Sequence, residues 1–143
     1  SIAALGTQLT ALQMLQGSSL VGRDVLVPGQ TLALRDGTAQ GAVDLDLPAD
    51  SVKVDVISAG RIVDTIDLGA LAAGRTQFSW DASKYPGVVS PTIQVTATSG
   101  GKAVTATTYV ADRVSSVSTG TSGLQLQLAK LGAVDYSSVG GIL

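Results

Sequence analysis

Every acidic residue of this chain is an aspartate, and two pairs of them are close enough in sequence to suggest joint chemistry. Asp44 and Asp46 stand two positions apart, so on a strand their carboxylates share one face and could approach one metal ion. No further Asp or Asn follows at the spacing of a calcium-binding loop, and Pro48 interrupts the segment. We therefore interpret this pair as a solvated strand face whose charges protect a sheet edge. Asp64 and Asp67 are three positions apart and face opposite ways on a strand.

The sequence lacks the groups that usually activate a nucleophile. It contains no Cys and no His, so thiolate chemistry, zinc–thiolate sites and the usual general base are excluded. The serines around residue 116 have no adjacent Lys either. The Gly-rich segments 99–102 and 120–123 lie between predicted strands and not before a helix, so we interpret them as hairpin turns rather than phosphate-binding loops. The sequence predicts a binding or structural module, not an enzyme, with no cofactor and no bound metal.

Charge and hydropathy exclude two further classes of partner. With a formal net charge of −2 and an isoelectric point near 4.7, the chain lacks the excess positive charge that binding to nucleic acid requires. The basic residues form no cluster that would favour an anionic membrane, and no apolar run is long enough to insert into one. The first residues contain neither an initiator Met nor the pattern of a signal peptide, which suggests the cut edge of a longer protein.

The core must form from small and β-branched side chains, because hydrophobic residues make up 45% of the chain and aromatic residues only 3%. The single Phe and the single Trp stand two positions apart within residues 74–80, so on a strand they point to the same face. We expect this pair to nucleate one packed sheet, with alternating apolar residues of neighbouring strands. The predicted core anchors are Phe78, Trp80, Val54, Val56 and Val95.

Short alternating strands separated by turn residues fill residues 41–110 and predict an antiparallel β-sandwich. One of the turns is a hairpin at residues 58–61. Residues 20–40 and 111–143 are also strand-like, including a predicted return strand at 31–34, but each is too short to form a core alone. The simplest arrangement that gives both flanking segments a core is one small barrel formed by residues 20–40 and 111–143, with the sandwich inserted between them. A single elongated β array is the alternative.

Residues 2–16 predict an amphipathic helix, because Leu5, Leu9 and Leu12 follow helical spacing and Gly17 ends the segment. Such a short helix is marginally stable alone. It could pack on its own domain or serve as a linker arm within residues 1–19. It could equally be a surface for self-association or for a partner.

The order of four motifs resembles the flagellar hook-capping, or hook assembly scaffold, family FlgD. The motifs are residues 20–25 after a helical segment, the strand 52–57 with the hairpin into 62–69, the segment 73–81 with its Phe-Ser-Trp-Asp, and the closing segment 123–143. Together they extend over nearly the whole chain from residue 5.

The resemblance implies a mostly β fold, with a fibronectin type III-like sandwich inserted into a Tudor-like β-barrel and preceded by the amphipathic helix. It also implies a non-enzymatic protein that leaves the cell through the flagellar type III apparatus without a cleaved signal and caps the growing hook. The implied partners are the flagellar hook protein, further copies of the chain and, as an additional candidate, the hook-length control protein. Tyr136 is the only aromatic of the predicted barrel, so an aromatic cage for methylated peptides is not supported.

For a cap, the predicted sites are surfaces. We expect the helical leucines Leu5, Leu9, Leu12 and Leu15 to contribute to self-association, and the sandwich loop at residues 84–91 to contact hook subunits. The competing class is an extracellular adhesin or carbohydrate-binding module, which the β-sandwich would suit but which the scarcity of aromatic residues disfavours.

Overall fold

The computed structural model describes residues 14–121 and 123–143. This part of the chain is mostly β, as predicted, and residues 14–18 and Tyr136–Ser138 form the short helical segments. The strands, in chain order, are β1 (Asp24–Pro28), β2 (Thr38–Leu45), β3 (Ala49–Ser58), β4 (Arg61–Leu71), β5 (Gly74–Asp81), β6 (Thr92–Ser99), β7 (Lys102–Ala103), β8 (Ala106–Gly120), β9 (Gly123–Leu128), β10 (Gly132–Asp135) and β11 (Gly141–Ile142).

The chain divides into two compact units. The flanking unit comprises Ser1–Val27 and Asp112–Leu143, and the inserted unit comprises Pro28–Ala111. The sequence prediction placed residues 20–40 with the flanks, whereas the structure groups residues 28–40 with the inserted unit. The reason is a long-range contact: the Leu32 side chain is 1% exposed, and its N–H donates to the Pro91 carbonyl of the inserted unit at 2.9 Å.

The return strand predicted at residues 31–34 is wrong. Thr31 makes an isolated bridge to Thr92, and the following residues form no strand. The buried Leu32 anchors this irregular segment through its side chain. A run of three apolar residues after Thr31 is too short to distinguish an anchored loop from a strand.

The inserted unit is a β-sandwich of two antiparallel sheets. One sheet has the strand order β4-β3-β6-β7, and in the other β2 lies between β5 and the first part of β8. The predicted hairpin at residues 58–61 joins β3 to β4. Its central residues Ala59 and Gly60 have φ angles of 52° and 74°, as a type I′ turn requires.

The predicted anchors lie in the two sheets of the sandwich. Val54 and Val56 of β3 are 0% exposed, and Phe78 and Trp80 of β5 are 6% and 2% exposed. Val95 of β6 is directly opposite Val54 and shares its face, but it is only half-buried.

A close approach of the backbone occurs at Gly41, where β2 passes Phe78. A Cβ atom at this position would lie 2.7 Å from the Phe78 ring and 2.8 Å from the Tyr109 carbonyl oxygen. Because the second contact is with backbone of the neighbouring strand, rotation of a side chain cannot relieve it.

We therefore expect Gly41→Ala to lower the free energy of unfolding by about 1–3 kcal/mol, the usual cost of overpacking. The measurement is chemical denaturation of both proteins. Gly120→Ala is the matched control, because its Cβ would meet only the flexible Gln125 side chain, at 3.3 Å. Equal losses in the two variants would contradict the steric argument.

In the flanking unit the strand order is β10-β9-β8-β1-β11. The predicted alternation in β9 is present, and Leu124, Leu126 and Leu128 are all buried. The last residues pair with β1, with Ile142 opposite Val25. This unit therefore joins the beginning and the end of the described chain in one sheet.

The only buried charged side chain in the described ranges is Asp112, which is 3% exposed. One carboxylate oxygen accepts the Arg113 N–H at 2.8 Å, and the other accepts the N–H groups of Lys130 and Leu131 at 2.7 and 2.8 Å. Asp112 thus holds the turn between β9 and β10.

Candidate interaction surfaces

The predicted self-association leucines fall mostly outside the described residues. Leu5, Leu9 and Leu12 precede residue 14, where the description begins. Leu15 lies in the helical segment, and its side chain is 69% exposed. The sequence predicted that the helix ends before Gly17, whereas the helical segment continues through Gly17 to residue 18. The exposure of Leu15 leaves its side chain available to a partner, and the role of all four leucines stays a prediction.

The structure corrects the interpretation of Asp44 as an edge-protecting charge. Strand β2 is paired on both sides, with β5 and with β8, so it is not an edge. Asp44 instead accepts two hydrogen bonds from the Arg75 guanidinium, at 2.9 and 3.1 Å. The Arg75 guanidinium also lies 4.4 Å from the centre of the Tyr109 ring. These side chains form a cross-strand cluster on the outer face of the sheet.

Residues 14–121 and 123–143 contain no group of three acidic, His or Cys side chains arranged to hold a metal ion. Within the same ranges, no helix has the length and apolar character needed to cross a membrane.

A part-buried side-chain hydrogen bond of the inserted unit joins the strands β4 and β5. The indole Nε1 of Trp80 donates a hydrogen bond of 2.8 Å to a carboxylate oxygen of Asp64. A buried indole needs such an acceptor, because its N–H would otherwise lose its hydrogen bond to water. Asp64 also accepts the backbone N–H of Thr65 at 2.9 Å, which fixes the carboxylate.

Tyr85 packs against Trp80 beside this hydrogen bond. Its ring stacks on the Trp80 ring, with centroids 5.5 Å apart and an angle of 23° between the planes. Desolvation, and then the Asp64 carboxylate, raise the pKa of Tyr85 above its ordinary value of 10.0. Because the folded-state pKa of Tyr85 is raised, ionisation of the phenol opposes folding, so stability is retained at neutral pH and decreases as the pH rises through that pKa.

Residues 82–91 form the connection between β5 and β6, which we name the Tyr85 loop. Its start is held by Asp81, which accepts the Ser83 N–H at 2.9 Å; this hydrogen bond lowers the pKa of Asp81. Tyr85 then donates its N–H to Ala82 at 2.9 Å. The far end is held by Pro91, which is fully buried. The predicted contact loop at residues 84–91 is therefore braced at both ends.

A shallow cleft of about 360 Å³ opens beside this loop. It lies between β4 and β5, and the residues that shape it include Asp64, Thr65, Trp80, Asp81, Lys84 and Tyr85. With carboxylates, an ammonium group and an aromatic edge at its rim, the cleft can accept polar and aromatic contacts.

Sequence reasoning singled out Trp80 but missed Asp64 and Tyr85 as its partners. A signal for an acceptor did exist, since a buried indole N–H needs one. The sequence could not say which of the neighbouring aspartates would supply it. The choice depends on the position of β4, where Asp64 lies opposite the buried Val56 and so faces the core side of the sheet.

The chain has relatives of known name and structure. The family model of the FlgD Tudor-like domain matches residues 12–140. The basal-body rod modification protein FlgD of Salmonella typhimurium is 31% identical over 156 aligned residues, which cover 100% of this chain and 67% of that protein. The Escherichia coli K12 protein of the same name is 30% identical, with 100% of this chain and 68% of that protein covered.

Two crystal structures are similar along nearly the whole chain. FlgD from Xanthomonas campestris, described as giving insights into the hook capping essential for flagellar assembly, has a TM-score of 0.77 and 32% identity and covers 92% of this chain and 99% of that one. FlgD from Pseudomonas aeruginosa has a TM-score of 0.71 and 32% identity, with 88% and 99% covered. These similarities confirm the mostly β fold class with its Tudor-like part, and the chain belongs to the FlgD family of basal-body rod modification proteins.

Proposed function

We propose that this chain is a non-enzymatic cap at the distal end of the growing bacterial flagellar hook, where it promotes polymerisation of hook subunits. The observation that carries the proposal is the similarity, over 92% of the chain, to a FlgD structure associated with hook capping. A role in flagellar hook assembly follows from membership of the family, and the capping mechanism is our addition to it.

A cap of this kind works by geometry. A closed oligomer whose symmetry differs from that of the helical polymer beneath it leaves one open position for the next subunit. Each contact must be weak, because the cap steps forward with every addition and is finally released. Small exposed apolar contacts fit this requirement better than a large dry interface.

Exposed apolar side chains in the described part of the chain support this proposal. The large ones are single residues, among them Leu15, Leu47 and Val89. We assign the first to contacts between cap subunits and the Tyr85 loop, which carries Val89, to contacts with the hook protein. Under this proposal the protein reaches the hook tip through the flagellar type III apparatus without a cleaved signal, and the hook-length control protein is a further candidate partner.

The self-association surface can be tested with the double substitution Leu9→Asp plus Leu12→Asp. Charges on the apolar stripe would oppose burial against a second copy, so we expect the oligomer to dissociate in sedimentation velocity while circular dichroism stays unchanged. Leu47→Asp is the matched control, because this leucine is 64% exposed but lies in the inserted unit. An unaltered sedimentation profile of the folded double variant would remove the helical stripe from the proposal.

Capping itself is tested by electron microscopy of basal bodies from cells that lack the gene, with an assay for hook protein in the medium. We expect rods without hooks, and hook monomers lost to the medium. Normal hooks would refute the capping function and leave the adhesin or carbohydrate-binding class as the better account. A glycan array would then be the next measurement.

A further inference from the structure

Strand β5 presents a long, regular edge of the inserted unit. Among the described residues it pairs only with β2, and all eight of its residues do so without a register shift. The next pair of this ladder is hydrogen-bonded, because the Ala82 N–H donates to the Gly37 carbonyl at 2.7 Å. Backbone groups alternate in direction along an antiparallel ladder, so the even-numbered residues of β5 face β2. Its odd-numbered residues direct their N–H and C=O groups toward the open side.

The other long edge of the inserted unit, β4, is protected against a further strand. It lies at the end of its sheet, but register shifts interrupt its pairing with β3. Its own aspartates also occupy backbone donors, since the Thr65 N–H donates to Asp64 and the Gly69 N–H to Asp67, both at 2.9 Å. Irregular pairing and charges on the edge discourage the addition of a strand. The regular ladder of β5 has no such interruption.

The open side of β5 carries a sequence that complements its own reverse. The odd-numbered residues are Arg75, Gln77, Ser79 and Asp81, and the side chains of all four are exposed on the outer face of the sheet. If two copies run antiparallel with Phe78 opposite its counterpart, Arg75 lies opposite Asp81. Gln77 then lies opposite Ser79, and two-fold symmetry repeats both pairs. Opposite charges at such cross-strand positions are stabilising.

Other registers lose this complementarity. Centring the pair on Gln77 would place Arg75 opposite Ser79, and centring it on Ser79 would place Asp81 opposite Gln77. An odd shift would bring inner-face side chains opposite outer-face ones. In the register centred on Phe78, the inner face also fits, because the large Trp80 comes opposite a small threonine, residue 76.

Arg75 is already oriented for a contact on the outer face. It makes hydrogen bonds of 2.9 and 3.1 Å to Asp44, and its guanidinium lies 4.4 Å from the centre of the Tyr109 ring. A side chain held in this way loses little rotamer freedom when a second carboxylate approaches it.

We propose that two copies of this chain associate through antiparallel pairing of their β5 strands, which makes one continuous sheet across a two-fold axis at Phe78. The interface is isologous, with the same strand contributed by both copies. Each Gln77–Ser79 pair exchanges both of its N–H···O bonds, and each Arg75–Asp81 pair joins opposite charges. One strand per copy buries less area than a standard interface, so we expect a dissociation constant on the order of 100 μM. This contact is separate from the one assigned to the helical leucines and does not rest on the capping function.

Reciprocal charge changes test the pairing and its register. Asp81→Lys places like charges opposite Arg75 in both halves of the dimer, and Arg75→Asp does the same opposite Asp81. Each variant alone should therefore dimerise at least about tenfold more weakly than the wild type. An equimolar mixture restores opposite charges at both positions and should form a heterodimer of wild-type strength. Asp55→Lys, on β3 of the other sheet, is the control with the same change of charge and should leave dimerisation unchanged. Sedimentation equilibrium measures association, and circular dichroism verifies the fold.

Cross-linking tests the same register with smaller changes. The chain contains no Cys, so introduced thiols report only the chosen positions. Mixing Gln77→Cys with Ser79→Cys brings two thiols directly opposite each other, whereas each variant alone leaves its two thiols offset by two residues. Under mild oxidation we expect the mixture to form its mixed disulfide at least about fivefold faster than either variant forms its own.

The strand contact is separated from the helical stripe by repeating the measurements in the Leu9→Asp plus Leu12→Asp background, where the strand-paired dimer should persist. A chain that stays monomeric there up to about 1 mM would refute the proposal, since that concentration is well above the expected dissociation constant. A dimer that ignores Asp81→Lys, or a mixture that forms no mixed disulfide, would assign association to another surface and refute it as well. Hook counts in cells lacking the gene test capping alone, so the two proposals can fail independently.

Discussion

Replacing Trp80 with alanine should lower the free energy of unfolding by about 3–5 kcal/mol, the range measured for large aromatic residues in protein cores. The side chain is 2% exposed, stacks on Tyr85 and is hydrogen-bonded to Asp64, so three kinds of contact are lost together. The cavity would lie between β5 and β4, where the backbone pairing of β5 with β2 limits how far the site can collapse to fill it. Urea denaturation followed by circular dichroism measures the loss.

Two further variants divide this loss into its parts. Trp80→Phe keeps an aromatic ring but removes the indole N–H, and we expect it to cost about 1–2 kcal/mol, of which the lost hydrogen bond accounts for about 1 kcal/mol. Tyr85→Ala removes a half-buried ring from the surface and should cost less than Trp80→Ala. A Trp80→Ala protein as stable as the wild type would show that the aromatic pair of β5 does not anchor the core.

Replacing Asp112 with alanine should lower the free energy of unfolding by about 2–3 kcal/mol. Its carboxylate accepts three backbone N–H groups in the flanking unit, and the shortest of these hydrogen bonds is 2.7 Å. Hydrogen bonds to a charged acceptor are stronger than neutral ones, and the donors of the β9–β10 turn would lose their shared acceptor. Chemical denaturation of the variant measures the effect, and amide exchange at Lys130 and Leu131 should become faster.

Asp50 provides the control for this prediction. It accepts a single N–H, from Gly100 at 2.8 Å, at an exposed position, so Asp50→Ala should cost less than about 1 kcal/mol. Asp112→Asn should fall between the two, because an amide offers one acceptor oxygen where the carboxylate uses two. If the Asp50 and Asp112 variants lost equal stability, burial and the number of donors would not determine the role of Asp112.

Sequence patterns predicted the strands best where one face is buried along their whole length. The alternation of Val54 and Val56 with polar residues predicted β3, and Leu124 to Leu128 predicted β9, because every second side chain enters a core. The hairpin at residues 58–61 was also predictable, since a two-residue turn with positive φ favours Gly60.

The failures have a common physical cause, which is that they depend on contacts between distant segments. Leu32 belongs to the inserted unit because of Pro91, about sixty residues away in the chain, and no local pattern indicates that contact. Asp44 looked like an edge charge because its two neighbouring strands are also distant in sequence. Asp64, which accepts the Trp80 N–H, lies on a different strand and could not be singled out for the same reason.

The stacking of Tyr85 on Trp80 also provides an intrinsic fluorescence probe of the protein. Trp80 is the one tryptophan of the sequence, so all indole emission comes from the contact that holds the Tyr85 loop. An indole covered by a phenol ring and shielded from water emits at shorter wavelengths than an indole in water. Release of the Tyr85 loop should therefore shift the emission toward the red, so the state of the loop can be followed in solution without attaching a dye.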